Sequence, residues 1–376
     1  MKKVLFFLSD FQSGGTEWFA LHLARGLKRL GYTPSFLVTR DFGELAPLIK
    51  NEFETYLLDG QGYGLLKIFR TVPAATRYIR QQRPDILISG LPILNAAAVI
   101  ALGLARVPTK LIAVEHMRLI PDTSHGLKAA LKYSVKKILT RFVHARAKRI
   151  VCVSQTVWRD IELATGFPKD KTILIHNPVV PENIEQLAND PPDSVLSGYI
   201  SCGKPLILSI GRLLPVKDHK TLIRAFAIVR RSVDARLIIL GEGDERDTLS
   251  TLIQELGLEN DICLRGTVEN IYPYLKHSKL LVLPSKQEAF GNVLVEALSC
   301  GVPVVSTDCG GPREILEKER FGRLVPVQDT EAMARAIIET LKSVCDREEL
   351  IARGKLFSVT AAAQAYHDLI QSLEKD

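Results

Sequence analysis

Six cysteines in 376 residues, at positions 152, 202, 263, 300, 309 and 345, form neither a C-x-x-C pair nor a spaced metal-ligand set. This excludes a zinc ribbon, a thioredoxin-like redox centre and a disulfide-stapled secreted domain. It predicts reduced thiols, mostly in the core of a cytosolic protein. Aromatic residues make up only 7% of the chain. They do not interleave with its basic runs and no recognised nucleic-acid module is present, so nucleic acid is disfavoured as a partner. There is no internal repeat with a period of roughly 20 to 50 residues and no low-complexity tract. The start, Lys2-Lys3 followed by Val4 to Leu8, imitates a secretory leader, yet the apolar run ends at Ser9-Asp10. It reads instead as a first strand. Ile86 to Ala105 carries no charge and meets the length criterion for a membrane span. Gly90-Leu91-Pro92 and Asn95 interrupt it, which predicts a buried strand, a loop and a helix.

With 46% hydrophobic and 24% charged residues, the chain is globular and long enough for two cores. Strand-like apolar runs alternate with helical periodicity throughout, which predicts two parallel α/β domains with right-handed crossovers. Periodicity is broken between Pro181 and Lys204 by Asp190-Pro191-Pro192-Asp193 and Ser197-Gly198, placing one domain at 1–185 and the other at 198–357. A last helix is expected from Val359 to Leu373. Charge is uneven: residues 1–187 hold 26 Lys+Arg against 15 Asp+Glu, a balance of +11, whereas residues 188–376 hold 23 against 27, a balance of −4.

Two segments carry chemistry. In the first, the apolar run Leu280-Leu281-Val282-Leu283 leads through Pro284-Ser285 into Glu288-Ala289-Phe290-Gly291-Asn292-Val293-Leu294-Val295-Glu296. The loop of such a strand–loop–helix unit lies at the carboxyl end of a parallel strand, where open α/β sheets bind ligands. The helix that follows offers free N–H groups and a positive dipole end. Glu288 in the loop can accept hydroxyl protons, and Glu296 offers a second carboxylate a turn and a half into the helix. A polyhydroxyl ligand bearing phosphate is the expected occupant. In the second segment, the strand Leu206 to Ile210 runs into Gly211-Arg212-Leu213-Leu214-Pro215-Val216-Lys217, before a helix from Thr221 to Arg230. Arg212 supplies a planar fork and Lys217 a point charge, the pair expected around a diphosphate.

Together the Gly-Arg-Leu…Lys loop and the Glu-x7-Glu motif resemble those of retaining nucleotide-sugar glycosyltransferases of the GT-B architecture, glycosyltransferase family 4. The resemblance covers nearly the whole chain. Gly14-Gly15-Thr16-Glu17 after the first strand looks like the family's glycine loop near the donor phosphate, without the full G-x-G-x-x-G of a nicotinamide site. His116, ending Leu111-Ile112-Ala113-Val114-Glu115, is similar to the family's active-site histidine. Ile173 to Val179 matches the strand end that closes the first lobe, and Cys263 to Val268 the strand whose exit backbone reads the base. Thr307 to Leu316 is most like members that build bacterial surface polysaccharides or lipid-linked oligosaccharides.

The resemblance implies two Rossmann-like domains facing across a cleft, with the last helix crossing back to the first. It implies a UDP or GDP sugar as co-substrate. Donor contacts would come from Gly15, Arg212, Lys217, Glu288, Phe290, Gly291, Asn292, Val293 and Glu296, and catalytic roles from His116, Arg212, Lys217 and Glu288. No metal ligands are expected, because two cations and a helix end replace the divalent ion.

Between Arg118 and Arg149 lie nine basic residues and one acid, Asp122. Lys128, Lys132 and Lys136 recur every four residues beside Lys137, with Leu127, Leu131, Val135, Leu139 and Phe142 on a neighbouring face. Such a basic amphipathic helix can dock on anionic lipid, hold an acceptor diphosphate, or lie solvated with its apolar side on the sheet. The reading is a metal-independent hexosyltransferase acting on a glycan or lipid-linked acceptor at the inner face of the cell membrane. Rival readings are a GT-B nucleotide-sugar epimerase or phosphorylase, a non-catalytic sugar-binding protein, and a membrane-surface scaffold.

Overall fold

The computed structural model of the protein describes residues 1–12, 14–58, 68, 70–119, 127–166 and 169–375. The chain divides into two compact units: Met1–Pro178 with Val359–Asp376, and Val179–Ser358. The first unit begins β1 (Lys3–Leu8), α1 (Gly15–Arg29), β2 (Thr33–Val38), α2 (Ala46–Glu52), β3 (Glu54–Leu57), α3 (Val72–Gln82) and β4 (Ile86–Ser89). It continues with α4 (Pro92–Ala105), β5 (Lys110–Glu115), α5 (Leu127–Arg146), β6 (Arg149–Cys152), α6 (Gln155–Thr165) and β7 (Thr172–Leu174). The second unit opens with two short helices, α7 (Ile184–Ala188) and α8 (Ser194–Ser201), in the stretch where the sequence loses its periodicity. It then runs β8 (Leu206–Ile210), α9 (His219–Arg230), β9 (Arg236–Leu240), α10 (Arg246–Glu255), β10 (Ile262–Gly266), α11 (Tyr272–His277), β11 (Leu280–Leu283) and α12 (Asn292–Ser299). It closes with β12 (Val304–Thr307), α13 (Pro312–Ile315), β13 (Arg323–Val325), α14 (Thr330–Lys342) and α15 (Arg347–Lys355), before α16 (Val359–Lys375) returns to the first unit.

The first sheet has the order β3-β2-β1-β4-β5-β6-β7 and the second β10-β9-β8-β11-β12-β13, with every pairing parallel. Parallel strands covered by helices on both faces need continuous apolar side chains rather than alternation. The runs Val4 to Leu8 and Leu280 to Leu283 supply them and are almost fully buried. In each sheet the order reverses beside the first strand, between β1 and β4 and between β8 and β11. Loops leaving adjacent strands there go opposite ways and open a crevice at their carboxyl ends.

The uncharged stretch from Ile86 resolves into β4 and α4 because Pro92 occupies the first helical turn, where its missing N–H costs nothing. Among the described residues no helix is long and apolar enough to cross a membrane. All six cysteines are free. Only Cys152 and Cys309 are buried, with Cys202 exposed and the other three half-buried, so the expectation that most lie in the core does not hold.

The basic helix α5 also departs from expectation. Among its described side chains the buried ones are Thr140, Val143 and His144, in its last two turns, whereas Leu131, Val135 and Ile138 are 64%, 38% and 65% exposed. Of the apolar row read from the sequence, Leu131 and Val135 face solvent and Leu139 and Phe142 are half-buried, while the Leu127 side chain lies outside the described residues. The anchor is a polar contact instead, with His144 Nε2 2.9 Å from the buried Glu115 Oε1 at the end of β5.

Candidate active site

In the second unit, β8 and β11 are neighbours at the reversal point, and the loops that leave them meet. Lys217, from the β8 loop, donates from Nζ to Glu288 Oε1 at 2.6 Å, and Ser285 Oγ donates to the same oxygen at 2.6 Å. The Lys217 and Glu288 side chains are only 23% and 13% exposed. Sequence reading gives these two residues separate roles; the fold joins them in one charge-assisted contact. Arg212, on the same loop, is exposed and has no ion-pair partner among the described residues.

Backbone contacts lock both loops. Leu213 N–H donates to Glu242 O at 2.8 Å, and Lys286 N–H donates to Val216 O at 2.8 Å. The Glu288 segment is held by the loop after β12, with Glu288 N–H donating to Cys309 O at 3.3 Å and Gly311 N–H to Glu288 O at 3.1 Å. Gly311 must lack a side chain, since a Cβ there would lie 2.3 Å from Phe290 O and 2.4 Å from Phe290 Cα. Thr307-Asp308-Cys309-Gly310-Gly311 is thus the brace that sets the height of Glu288 and Phe290. Phe290 is buried and packs edge-on against Phe357, ring centroids 5.5 Å apart.

Gly291 caps α12 at φ 107°, a left-handed conformation open to glycine, and the helix begins at Asn292. Val293 lies in its first turn, where N–H groups have no intrahelical acceptor and the dipole end is positive. Glu296 is the fifth residue of α12 and half-buried. Burial pushes its carboxyl up to about 7, and the same carboxyl helps hold the Tyr272 hydroxyl protonated, second to that residue's own burial. Glu296 is therefore partly protonated at neutral pH, which the spacing of the motif does not reveal.

In the first unit, the crevice ends of β4 and β5 bring Gly90 against His116. A Cβ on Gly90 would lie 2.9 Å from His116 Nε2 and 3.2 Å from Thr16 Cγ2. The ring of His116 stands edge-on to Phe19, centroids 4.5 Å apart, and Nε2 has no hydrogen-bond partner among the described residues. Desolvation takes its pKa down to about 3, so the imidazole is neutral. Gly15 is the first residue of α1 and Thr16 follows it, so the glycine loop and His116 share one end of the first sheet. Lys136 of α5 lines a small cleft with Pro92, Glu115, Met117, Arg118, Leu119 and Thr140, next to the strand end that carries His116. Lys137 is half-buried, while the side chains of Lys128 and Lys132 lie outside the described residues. An open groove of about 440 Å³ along β7 and α16, lined by Arg149, Thr172 and Asp368 among others, contains none of these residues.

Sequence reading missed Ser285, treated only as part of a strand break, and the brace at Cys309 to Gly311. A serine three residues before a loop glutamate is a faint signal for the first. The second needs the β11–β12 pairing to be seen. Among the described residues no group of three His, Cys, Asp or Glu could hold a metal ion.

Comparison with known proteins places the chain in a family. A family model described as Glycosyltransferase Family 4 matches residues 13–183, and one described as Glycosyl transferases group 1 matches residues 200–357. An uncharacterised glycosyltransferase of Methanocaldococcus jannaschii is 31% identical over 258 residues, covering 66% of this chain and 62% of that protein. The N-acetylgalactosamine-N,N'-diacetylbacillosaminyl-diphospho-undecaprenol 4-alpha-N-acetylgalactosaminyltransferase of Campylobacter jejuni is 34% identical over 217 residues, covering 57% and 56%. The chain thus spans less than two thirds of the length of either relative. Among solved structures, Anabaena HepE in complex with UDP-glucose is similar at a TM-score of 0.82 and 23% identity, covering 99% of this chain and 100% of that one. At that identity the likeness speaks for the fold, two parallel-sheet domains of GT-B type. With one family model on each unit, reaching together from residue 13 to residue 357, the chain belongs to the family 4 glycosyltransferases.

Proposed function

We propose that the chain is a retaining glycosyltransferase. It moves a hexose or an N-acetylhexosamine from a UDP or GDP sugar to a membrane-associated glycan or lipid-linked acceptor, in the assembly of cell-surface polysaccharide. The observation that carries the reading is the meeting of Lys217, Glu288 and Ser285 at the reversal point of the second sheet, beside the exposed Arg212. A diphosphate drawing Lys217 away frees the Glu288 carboxylate for sugar hydroxyls, so donor binding and exposure of the sugar-binding group are one event. Arg212, Lys217 and the N-terminal turn of α12 at Val293 then stabilise charge on the leaving diphosphate, the main electrostatic demand of the step. The main chain at Phe290, Gly291 and Asn292 lines the sugar, and Glu296 takes the ribose. The acceptor hydroxyl attacks the anomeric carbon from the face the leaving group departs, and a leaving phosphate oxygen accepts its proton. Neutral His116 orients the transferring sugar, with Gly15 near the donor phosphate.

The test is a donor screen. The chain is incubated in EDTA with a panel of UDP and GDP sugars and a membrane lipid extract, and nucleotide release is followed. We expect release from one or a few donors, dependent on extract and unaffected by the chelator. Release without any acceptor product points to a hydrolase or a hydrolysing epimerase, with water taking the glycosyl group; a requirement for added magnesium or manganese overturns the electrostatic account.

Membrane contact rests on α5, where exposed Leu131, Val135 and Ile138 lie among lysines. Each basic side chain near an anionic surface contributes about 1 kcal/mol. Replacing Lys128, Lys132, Lys136 and Lys137 by Gln is expected to release the enzyme from anionic vesicles and slow transfer to the lipid acceptor, leaving slow donor hydrolysis little changed. Higher salt should act the same way, because exposed charges are screened within about 8 Å at physiological ionic strength. Co-sedimentation of the quadruple variant at the parent's level removes the membrane from the proposal.

A further inference from the structure

His219 is the first residue of α9 and is 1% exposed, directly beneath the 211–217 loop. Neither ring nitrogen has a hydrogen-bond partner among the described residues. A buried polar atom left unpaired is costly and calls for an explanation. The ring's neighbours supply one. A Cβ built on Gly211 would lie 3.8 Å from His219 Nε2 and 3.6 Å from Lys217 Cδ, so the ring and the lysine stem both flank the Gly211 backbone. The Gly211 and Arg212 backbone faces the ring and favours its protonated form, yet neither ring nitrogen meets full hydrogen-bond geometry among the described residues. Burial dominates and lowers the ring's pKa to about 4, so at neutral pH it carries a single N–H. A second unpaired atom lies in the same layer. Glu245 is buried, with Oε1 accepting from Lys220 at 2.5 Å and Oε2 unpartnered among the described residues, while its N–H donates to Leu213 O at 3.0 Å. The floor of the loop therefore holds reserve hydrogen-bonding capacity that the unliganded arrangement does not use.

We infer that His219 is a positioning residue for donor binding: when a diphosphate seats Arg212 and Lys217, the loop settles and the His219 N–H bonds the Gly211 or Arg212 carbonyl. The inference rests on the reading of Arg212 and Lys217 as the diphosphate grip. It gives the loop a preferred liganded seating fixed from below, by a group that never touches the nucleotide.

The test compares the full chain with H219F, H219Q and R212A, using UDP and GDP as probes. Thermal unfolding is recorded with and without nucleotide, and affinity by titration. H219F removes two unpartnered buried nitrogens, so without nucleotide it should unfold at or above the parent's midpoint. With nucleotide it should bind about tenfold more weakly, the worth of one good hydrogen bond, and lose much of the nucleotide-induced rise in midpoint. H219Q keeps an N–H donor near Nε2 and should stay within about threefold of the parent. In turnover assays H219F should raise the donor KM and leave kcat nearly unchanged. The inference is overturned if H219F binds nucleotide like the parent, if H219Q is impaired as much as H219F, or if H219F is destabilised without nucleotide. R212A separates the two levels: weak binding by R212A with parental binding by H219F removes only the role of His219. Parental binding by R212A, or no binding of either nucleotide to the parent, removes the diphosphate reading and this inference with it.

Discussion

Alanine at Arg212 or at Lys217 is expected to lower turnover by about a hundredfold or more, since one preorganised donor to a developing anion is worth about 3 to 4 kcal/mol. The two variants should differ in stability. Arg212 is exposed and unpaired among the described residues, so R212A should unfold like the parent. Lys217 shields a largely buried carboxylate, and K217A leaves Glu288 with Ser285 alone. A loss of about 1 to 3 kcal/mol is expected there, restored in part by adding Glu288→Gln, which removes the stranded charge. The K217A/E288Q double variant should therefore be less than additive in stability while remaining inactive. Steady-state nucleotide release and calorimetry check both halves. Near-parental turnover in both single variants would sink the diphosphate assignment.

Glu296→Gln is expected to stabilise the second unit at pH 8 and to weaken nucleotide binding. The carboxyl sits at about 7 in the folded chain against 4.5 ordinarily, a gap worth at most about 3 kcal/mol at ~1.4 kcal/mol per unit. Partial solvent contact trims this to about 2 kcal/mol. The sign follows from proton counts. Between pH 4.5 and about 7 the folded state holds the proton more tightly than the unfolded one, so stability falls as pH rises through that window, and the full penalty is present above it. The glutamine has no such penalty, so its unfolding midpoint should be higher than the parent's at pH 8 and equal near pH 4.5. A ribose diol prefers the ionised carboxylate as acceptor, so the parent should bind nucleotide more weakly at pH 6 than at pH 8, while the variant binds weakly at both. Equal midpoints at pH 8, or a pH-independent affinity in the parent, would show that the carboxyl is ordinary.

Much of this architecture was legible from residue order alone. Apolar runs of four to six residues closed by a turn-favouring or charged residue mark buried parallel strands, and β1, β5, β8 and β11 fall where those runs stand. The strand ends identify the crevice because parallel α/β sheets leave ligands few other places. Pairings between loops were not legible. Lys217 and Glu288 are 71 residues apart, and their contact depends on β8 and β11 being neighbours and on side-chain rotation within two loops. Neither leaves a trace in spacing. The protonation of Glu296 was hidden for a similar reason, as it is set by what surrounds the helix rather than by the helix. On α5 the periodicity was correctly helical, yet the described buried side chains are Thr140, Val143 and His144, the last paired with the buried Glu115, and the sequence row did not include them. A histidine in a basic run gives no hint of that.

The return of α16 makes the second unit an insertion within the first, and this bears on how the molecule is made. Tyr366, Ile370 and Leu373 are buried, and Tyr366 packs against Phe19 of α1 with ring centroids 6.0 Å apart. During synthesis the second unit has all its residues once Ser358 has left the ribosome, whereas the first must wait for its final helix although its opening strand emerged long before. The unit born first is thus finished last, and until then the face of α1 that receives α16 stays uncovered. A nascent chain stalled before Val359 should therefore expose apolar surface on its older half, the kind of surface that chaperones hold.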